Sequence, residues 1–320
     1  MKPIGALLAL VALAACAPSH APLPASPVAA GGQITVSSAP VPLNPQDPGQ
    51  QAIGEFTYAG GVALSAEDTA RFHGLSDMWL TPDGKVRVIS DEGDLLIGEL
   101  VFDGAGRLAG LGRVALSALA GPDGKTLPGK QEADSEGLAL LPNGDRLVSF
   151  EQNHRILVYP AKGGPPRLAP SPAEPFPANG GMEALDAQPS AGRDAYITAG
   201  ENSGKTWTCR LSGGCTPGPA IAKPPEFGVV ATRSVPGGRR AWLLRAWDPV
   251  RGSRVTLTIH DDKGEVARLD LARPLTVDNY EALAVAPAKD GAIRFYLLSD
   301  DNFQKSQRTL LLAFDWKPKG

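Results

Sequence analysis

The stretch NYEALAVAPAKDGAIRFYLLSDDNFQKSQRTLLLAFDW, Asn279 to Trp316, decides the fold. It reads as three consecutive strands. Tyr280–Ala286 is short and apolar, Lys289-Asp290-Gly291 turns the chain, and Ile293–Leu298 follows. After the acidic loop Ser299-Asp300-Asp301-Asn302 comes Arg308–Trp316. Apolar runs of this length, bounded by Asp, Asn and Gly, are strand and hairpin signals. The unit recurs upstream as SEGLALLPNGDRLVSFEQNHRILVYPA at Ser135–Ala161 and as MEALDAQPSAGRDAYITAGENSGKTWTCRL at Met182–Leu211. Self-similarity at a period of about 20 to 50 residues marks a solenoid, propeller or array.

Four strands fit each unit. The first unit spans Gly74–Leu80, Lys85–Ser90, Leu95–Phe102 and Leu108–Ser117. The second spans Glu136–Leu141, Asp145–Phe150 and Arg155–Tyr159, with a short fourth strand near Arg167. The third spans Met182–Ala187, Asp194–Ala199 and Thr206–Leu211, with a fourth near Ala220. The fourth is the most diverged: Phe227–Arg233, Arg240–Ala246, Arg254–His260 and Val266–Leu271. The fifth is the opening stretch, which shows three strands. Its missing partner is found near the other end, in GEFTYAGGVALS at Gly54–Ser65. The tail GGVALSA there resembles GRVALSA at Gly112–Ala118, an outer strand. The expectation is an all-β propeller of five blades, closed by this N-terminal strand, because radial repetition hides sheet edges. Glu136 and Glu183 stand 47 residues apart, and Glu183 and Glu281 stand 98 apart, close to two such periods. Six blades stay open as an alternative if Gly121–Asp134 or the weak fourth strands conceal further structure.

The 320 residues, 42% of them hydrophobic, suffice for one large all-β domain. The 37 glycines and 30 prolines suit turns better than long helices. A net charge of -3 with no basic run argues against nucleic acid as a partner. At the N-terminus, Lys2, the apolar Ile4–Leu13 and Leu13-Ala14-Ala15-Cys16 read as a signal segment over residues 1–15. Its core is too short to span a bilayer. A small-residue site ending in Cys resembles the bacterial lipoprotein signal, which implies lipid on Cys16 and a membrane attachment through it. Ala17 at the next position then favours the outer membrane facing the periplasm. An ordinary secretory signal is the alternative. Residues 16–52, rich in Pro, Ala and Ser, read as a disordered tether, and 53–320 as the propeller domain. Cys209 and Cys215 flank the turn LSGG, where an exported chain can hold a disulfide across one hairpin.

In a propeller the start of the innermost strand and the end of the second lie on one face. The repeat register places His73, Ser76, Asp77, Asp91, Glu92 and Asp94 there in blade one, and Asp134, Glu136 and Glu151 in blade two. Blade three gives Glu183 and Glu201, blade four Glu226 and Asp248, blade five Asp278, Glu281, Asp300 and Asp301. Clustered carboxylates raise one another's pKa unless something compensates. A hard cation such as Ca2+ would do so, with Asp91, Glu136, Glu183, Glu281, Asp300 and Asp301 as candidate ligands. Basic side chains are the other compensation. Arg245, Arg308 and Lys305 are candidates to hold an anionic substrate, and Arg71, Arg155, Lys205 and Arg251 lie in nearby loops. Glu136, Glu183, Glu281, Asp77 and His73 are the candidate catalytic groups. The competing view is that each acid caps backbone N–H groups and pairs with an arginine. No G-x-S-x-G and no H-x-x-x-H spacing occurs, so a nucleophile elbow and a zinc site are not indicated.

GLSD at Gly74–Asp77, ISDEG at Ile89–Gly93, SEGLAL at Ser135–Leu140, EAL at Glu183–Leu185, NYEALAV and LLSDDNFQKSQRTLLL resemble the phytase-like family, described as having esterase-like activity of phytase. The similarity runs from about Gly54 to Trp316, with the SDDNF…QRT block its most specific part. The resemblance implies a β-propeller related to calcium-dependent phytases, which have six blades and cleave phosphomonoesters with metal-activated water. The expectation is a monomer acting on a small anionic ester, with Ca2+ as the candidate cofactor. A non-catalytic propeller binding a ligand or protein at the cell envelope is the other function class.

Overall fold

The computed structural model describes residues 31–81 and 83–319. The signal segment, Cys16 and the start of the tether lie outside the described residues. Five antiparallel sheets follow one another along the chain. Blade one, from inside outward, is Leu75–Leu80, Lys85–Ser90, Asp94–Phe102 and Leu108–Ala118. Blade two is Ser135–Leu140, Arg146–Phe150, Arg155–Tyr159 and Arg167–Ala169. Blade three is Ala184–Ala187, Ala195–Ala199, Thr206–Arg210 and Cys215–Gly218. Blade four is Gly228–Val235, Arg239–Asp248, Gly252–Asp261 and Gly264–Leu271. Blade five is Asn279–Pro287, Ile293–Asp300 and Thr309–Trp316, followed by Phe56–Ser65. Each innermost strand packs against the next, and the last packs against the first. The architecture is a five-bladed β-propeller. Gly121–Asp134 adds no blade: it holds part of one isolated bridge, Ala120 to Thr126, and the short helix Gly129–Ala133.

The apolar residues form five clusters, one at each junction between neighbouring blades. That is what period-2 alternation on both faces of a blade produces, since each blade packs a neighbour on either side. Between blades four and five, Phe56 stacks on Trp316 and meets Phe295 edge-on, in one cluster with Leu257, Leu269 and Leu283. Cys209 and Cys215 stand opposite each other on adjacent strands of blade three and are disulfide-bonded. Closing so short a loop contributes about 2 kcal/mol in the chain-entropy picture.

Phe56–Ser65 pairs antiparallel with Thr309–Trp316, Leu64 opposite Thr309 and Phe56 opposite Trp316. The chain before it departs from the expected tether. Gly32–Ile34 pairs with Leu108–Ala118, and Ser37–Pro40 pairs with Phe56–Ser65. The cause is a few apolar and polar anchors that a Pro/Ala/Ser-rich composition hides. Leu43 is 0% exposed and Ile34 is 7% exposed. The Tyr58 hydroxyl donates to the Val41 carbonyl at 2.6 Å, and the Thr276 hydroxyl donates to the Pro42 carbonyl at 2.6 Å. Deleting residues 17–48 should therefore lower the melting midpoint relative to a chain starting at Gly31. The loss should be about 2–5 kcal/mol, the cost of emptying one Leu site. Deleting Phe56–Ser65 should abolish cooperative melting. Two thermal scans check both; unchanged midpoints would contradict this role for the N-terminal strands.

Candidate functional site at the channel mouth

The strand register builds the site. Opposite pairs on the two inner strands are Asp77 with Ile89, Gly137 with Ser149, Ala184 with Ala199, Ala231 with Leu243 and Ala282 with Leu298. One residue before the first member of each pair stand Ser76, Glu136, Glu183, Val230 and Glu281. Two residues after the second member stand Asp91, Glu151, Glu201, Arg245 and Asp300. The ladder skips Ser76, Glu136, Val230 and Glu281, so these four sit at β-bulges. A bulge re-aims the extra side chain out of the pleat; Glu136 and Glu281 join the charged groups of the mouth, whereas Val230 packs in the apolar cluster between blades four and five. The small residue that follows lets inner strands approach: a Cβ on Gly137 would lie 2.4 Å from the Glu183 carbonyl oxygen.

Seven of these ten positions are carboxylates, and Asp134 from the preceding loop makes an eighth. Blade four breaks the pattern, with Val230 and Arg245. Its sequence-predicted acids, Glu226 and Asp248, lie elsewhere and pair with Arg251 and Arg254. Blade four thus supplies the cation. Arg245 bonds Glu281 and, at 2.6 Å, Asn279; its other Nη reaches Glu201 at 3.3 Å. Gly228 makes room, since a Cβ there would sit 2.5 Å from Glu201 Oε1. The second cation is Lys130 from the short helix, 2.6 Å from Asp91 Oδ2. It also lies 2.8 Å from Asp134 Oδ1, an ion-pair distance that lacks hydrogen-bond alignment.

Two cations do not neutralise eight carboxylates. Among the described residues nothing donates a hydrogen bond to the carboxylates of Glu136 or Glu183. Burial, then the charges of Asp134, Glu151, Glu183 and Glu281, push Glu136 well above the usual carboxylate range. Its side chain keeps some solvent access. Burial and the Glu201 charge do the same to Glu183, against the pull of Arg245. Burial with Glu281 and Asp91 raises Asp300. Burial raises Glu281 as well, with Arg245 opposing. Asp91 and Glu151 are each held up to about 7, mainly by burial; Lys130 tempers the first, and the Gly181 and Gly180 N–H donors temper the second. Ligand atoms of Asp134, Glu136 and Glu151 all lie within 4.8 Å of one another, and among the described residues the buried Oδ1 atoms of Asp91 and Asp134 lack hydrogen-bond partners. A buried acidic cluster of this kind can hold a metal ion.

The other candidates are placed as follows. Asp77 lies below the mouth, 2.8 Å from the Arg233 guanidinium, and accepts from the Leu138 N–H at 2.7 Å. Asp301 turns away from the acids and bonds His73 Nδ1 at 2.7 Å and the Thr309 hydroxyl at 3.1 Å. That bond raises the His73 pKa although burial opposes it. Asp278 bonds the backbone N–H of Arg308. Lys305 is exposed on the loop before Arg308. Arg71, Arg155, Lys205 and Arg251 pair with Asp94, Glu132, Glu174 and Asp248. Arg233 and Lys130 were missed by sequence reasoning; neither lies at a loop position that the repeat marks.

Residues 70–211 match the phytase-like family, described as esterase-like activity of phytase. The phytase-like match takes in Asp91, Asp134, Glu136, Glu151, Glu183 and Glu201, and ends before Arg245, Glu281 and the SDDNF block. Among solved structures, a streptogramin B lyase is 10% identical with a TM-score of 0.43, covering 91% of this chain and 89% of its own. A putative gluconolactonase is 14% identical with a TM-score of 0.47, covering 90% and 91%. A selenomethionine-substituted virginiamycin B lyase from Staphylococcus aureus is 10% identical with a TM-score of 0.43, covering 88% and 99%. A comparison with curated proteins gives no match.

The raised carboxylates make metal-free stability depend on pH. Asp91 and Glu151 hold protons in the folded chain that the unfolded chain, with values near 3.8 and 4.5, releases earlier. Their contribution is complete below those unfolded values and is lost as pH rises through about 7. In EDTA the melting midpoint should therefore fall between about pH 5 and pH 8, and Glu136→Gln should make the fall shallower. A scan of midpoint against pH for both proteins checks it; a flat parent curve would contradict the charge excess.

Proposed function

We propose that the channel mouth is the active site of a Ca2+-dependent hydrolase of phosphate or carboxylate esters. The observation that carries this reading is the excess of buried carboxylates over cations, with Glu136 and Glu183 left without donors among the described residues. A hard cation accepts six to eight oxygens in flexible geometry, and the donor set here is all oxygen. Asp91, Asp134, Glu136, Glu151, Glu183, Glu281 and Asp300 are the residues that would hold it. When bound, such an ion lowers the pKa of water and polarises an ester oxygen. Arg245, fixed by Glu281 and Asn279, also lines a cavity beside the mouth and would meet the anionic group there. Arg308, with a half-exposed side chain on the wall of that cavity, would be the second contact. Lipid on Cys16 would attach the chain to the outer membrane, facing the periplasm. Among the described residues no helix is long and apolar enough to cross a membrane.

A second reading follows from Lys130 and Arg245, which already sit among the acids as internal counter-ions. In it the propeller binds a ligand without catalysis. Melting in EDTA and in millimolar Ca2+, followed by phosphatase and esterase substrate panels, separates the two. For the hydrolase, Ca2+ at about 100 times its Kd adds about 2.7 kcal/mol to stability. The midpoint should then rise by several degrees, Glu281→Gln should weaken the rise, and EDTA should abolish turnover. A parent midpoint indifferent to Ca2+ would rule out the metal-dependent hydrolase. In that case Glu281→Gln should destabilise the protein by stripping Arg245 of a partner.

A further inference from the structure

A cavity of about 840 Å3 opens beside the mouth, at the junction of blades four and five. Glu201, Arg245 and Asn279 belong both to its wall and to the carboxylate network. That volume is ample for a small organic ligand. The chemistry of the wall says which kind. Its charges balance: Arg245, Arg273 and Arg308 face Glu201, Glu226 and Asp278. A polyphosphate entering it would meet as many carboxylates as guanidinium groups, so the wall does not suit a polyanion.

The uncharged part of the lining is more telling. The side-chain amides of Asn202, Asn302, Gln304 and Gln307 line the cavity and, among the described residues, make no hydrogen bond. An amide donates and accepts from one planar group, which is what a ligand rich in hydroxyls requires. Trp247, at the end of Arg239–Asp248, also lines the cavity and is 65% exposed. A large indole left in water gains by covering its face with apolar C–H groups. One ligand class presents both surfaces. A pyranose ring carries hydroxyls around its edge and C–H groups on its face.

We propose that this cavity binds a neutral sugar ring, stacked on Trp247 and hydrogen-bonded by Asn202, Asn302, Gln304 and Gln307. The ester presented to the mouth is then carried by a glycan. Only this last step rests on the hydrolase reading; the sugar site stands without it.

Saturation-transfer NMR on the full chain, in EDTA and in Ca2+, tests the site directly. The probes are maltose, cellobiose and N,N′-diacetylchitobiose, with inositol hexakisphosphate as the polyanionic comparison. At least one disaccharide should bind with a millimolar or tighter Kd. Trp247→Ala should weaken it about tenfold or more, and the double change Gln304→Ala with Gln307→Ala about threefold or more. The melting midpoints of the variants confirm that they fold. Disaccharides that fail to bind at tens of millimolar overturn the proposal. So does binding unchanged in both variants, or binding of the hexakisphosphate alone. Sugar binding without ester turnover removes the hydrolase and leaves the sugar site; turnover without sugar binding does the reverse.

Discussion

One buried ion pair holds the centre of the propeller. Arg233, 3% exposed, sends its guanidinium across the channel to Asp77, which is 0% exposed. The same guanidinium donates to the carbonyls of Met78, Leu185 and Thr232, and Asp77 accepts from the Leu138 and Met78 N–H groups. Blades one to four thus share a single set of charge-assisted bonds. Burial drives Asp77 up to about 6, against the Arg233 charge and these donors. Taking two charges out of water is costly, and the pair persists because nearly every lone pair and proton finds a partner. Either residue alone would be an uncompensated buried charge. Arg233 also lines the far opening of the channel, a cavity of about 240 Å3, so the pair occupies the axis beneath the acidic mouth.

The two ends of the channel follow opposite rules. Below, Asp77 is matched by Arg233 and Asp186 by Arg240, each within the protein. Above, the repeat places carboxylates at matched register positions and blade four supplies one arginine in return. Local rules are broken where a sequence serves something other than its own stability. The mouth is such a place, and its surplus of negative charge is a demand for a cation or for protons.

Much of the fold was legible because propeller strands are local. Each is a short apolar run between turn residues, and the first-blade strands read from the sequence lie within a residue of those observed. Five inner strands packed in a ring bear out the five-blade count. What the sequence hid is what depends on distant partners. Gly32–Ile34 and Ser37–Pro40 have weak local signals and exist because sheet edges were waiting for them. The register exposed Glu136, Glu183, Glu281, Asp91 and Asp300 as one group, but it could not separate Asp77 from them. One position beyond the bulge, a side chain meets the channel axis instead of the mouth, and only the structure shows Arg233 there. Lys130 was invisible for the same reason: its helix is five residues long and belongs to no repeat.

The pairing of Phe56–Ser65 with Thr309–Trp316 has a consequence for the order of events during synthesis. Phe56–Ser65 emerges before the strands of blades one to four, yet finds its neighbour only when Thr309–Trp316 has been made. Blades one to four consist of sequential hairpins and can form as they appear. Blade five cannot, so Thr309–Trp316 presents an open edge until Phe56–Ser65 returns to it. Joining segments so far apart in sequence is slow, because the entropy of ordering the chain between them is spent before the contact is gained. The assembling chain therefore has one late, rate-setting step, and during it one unsealed edge at which another chain can pair.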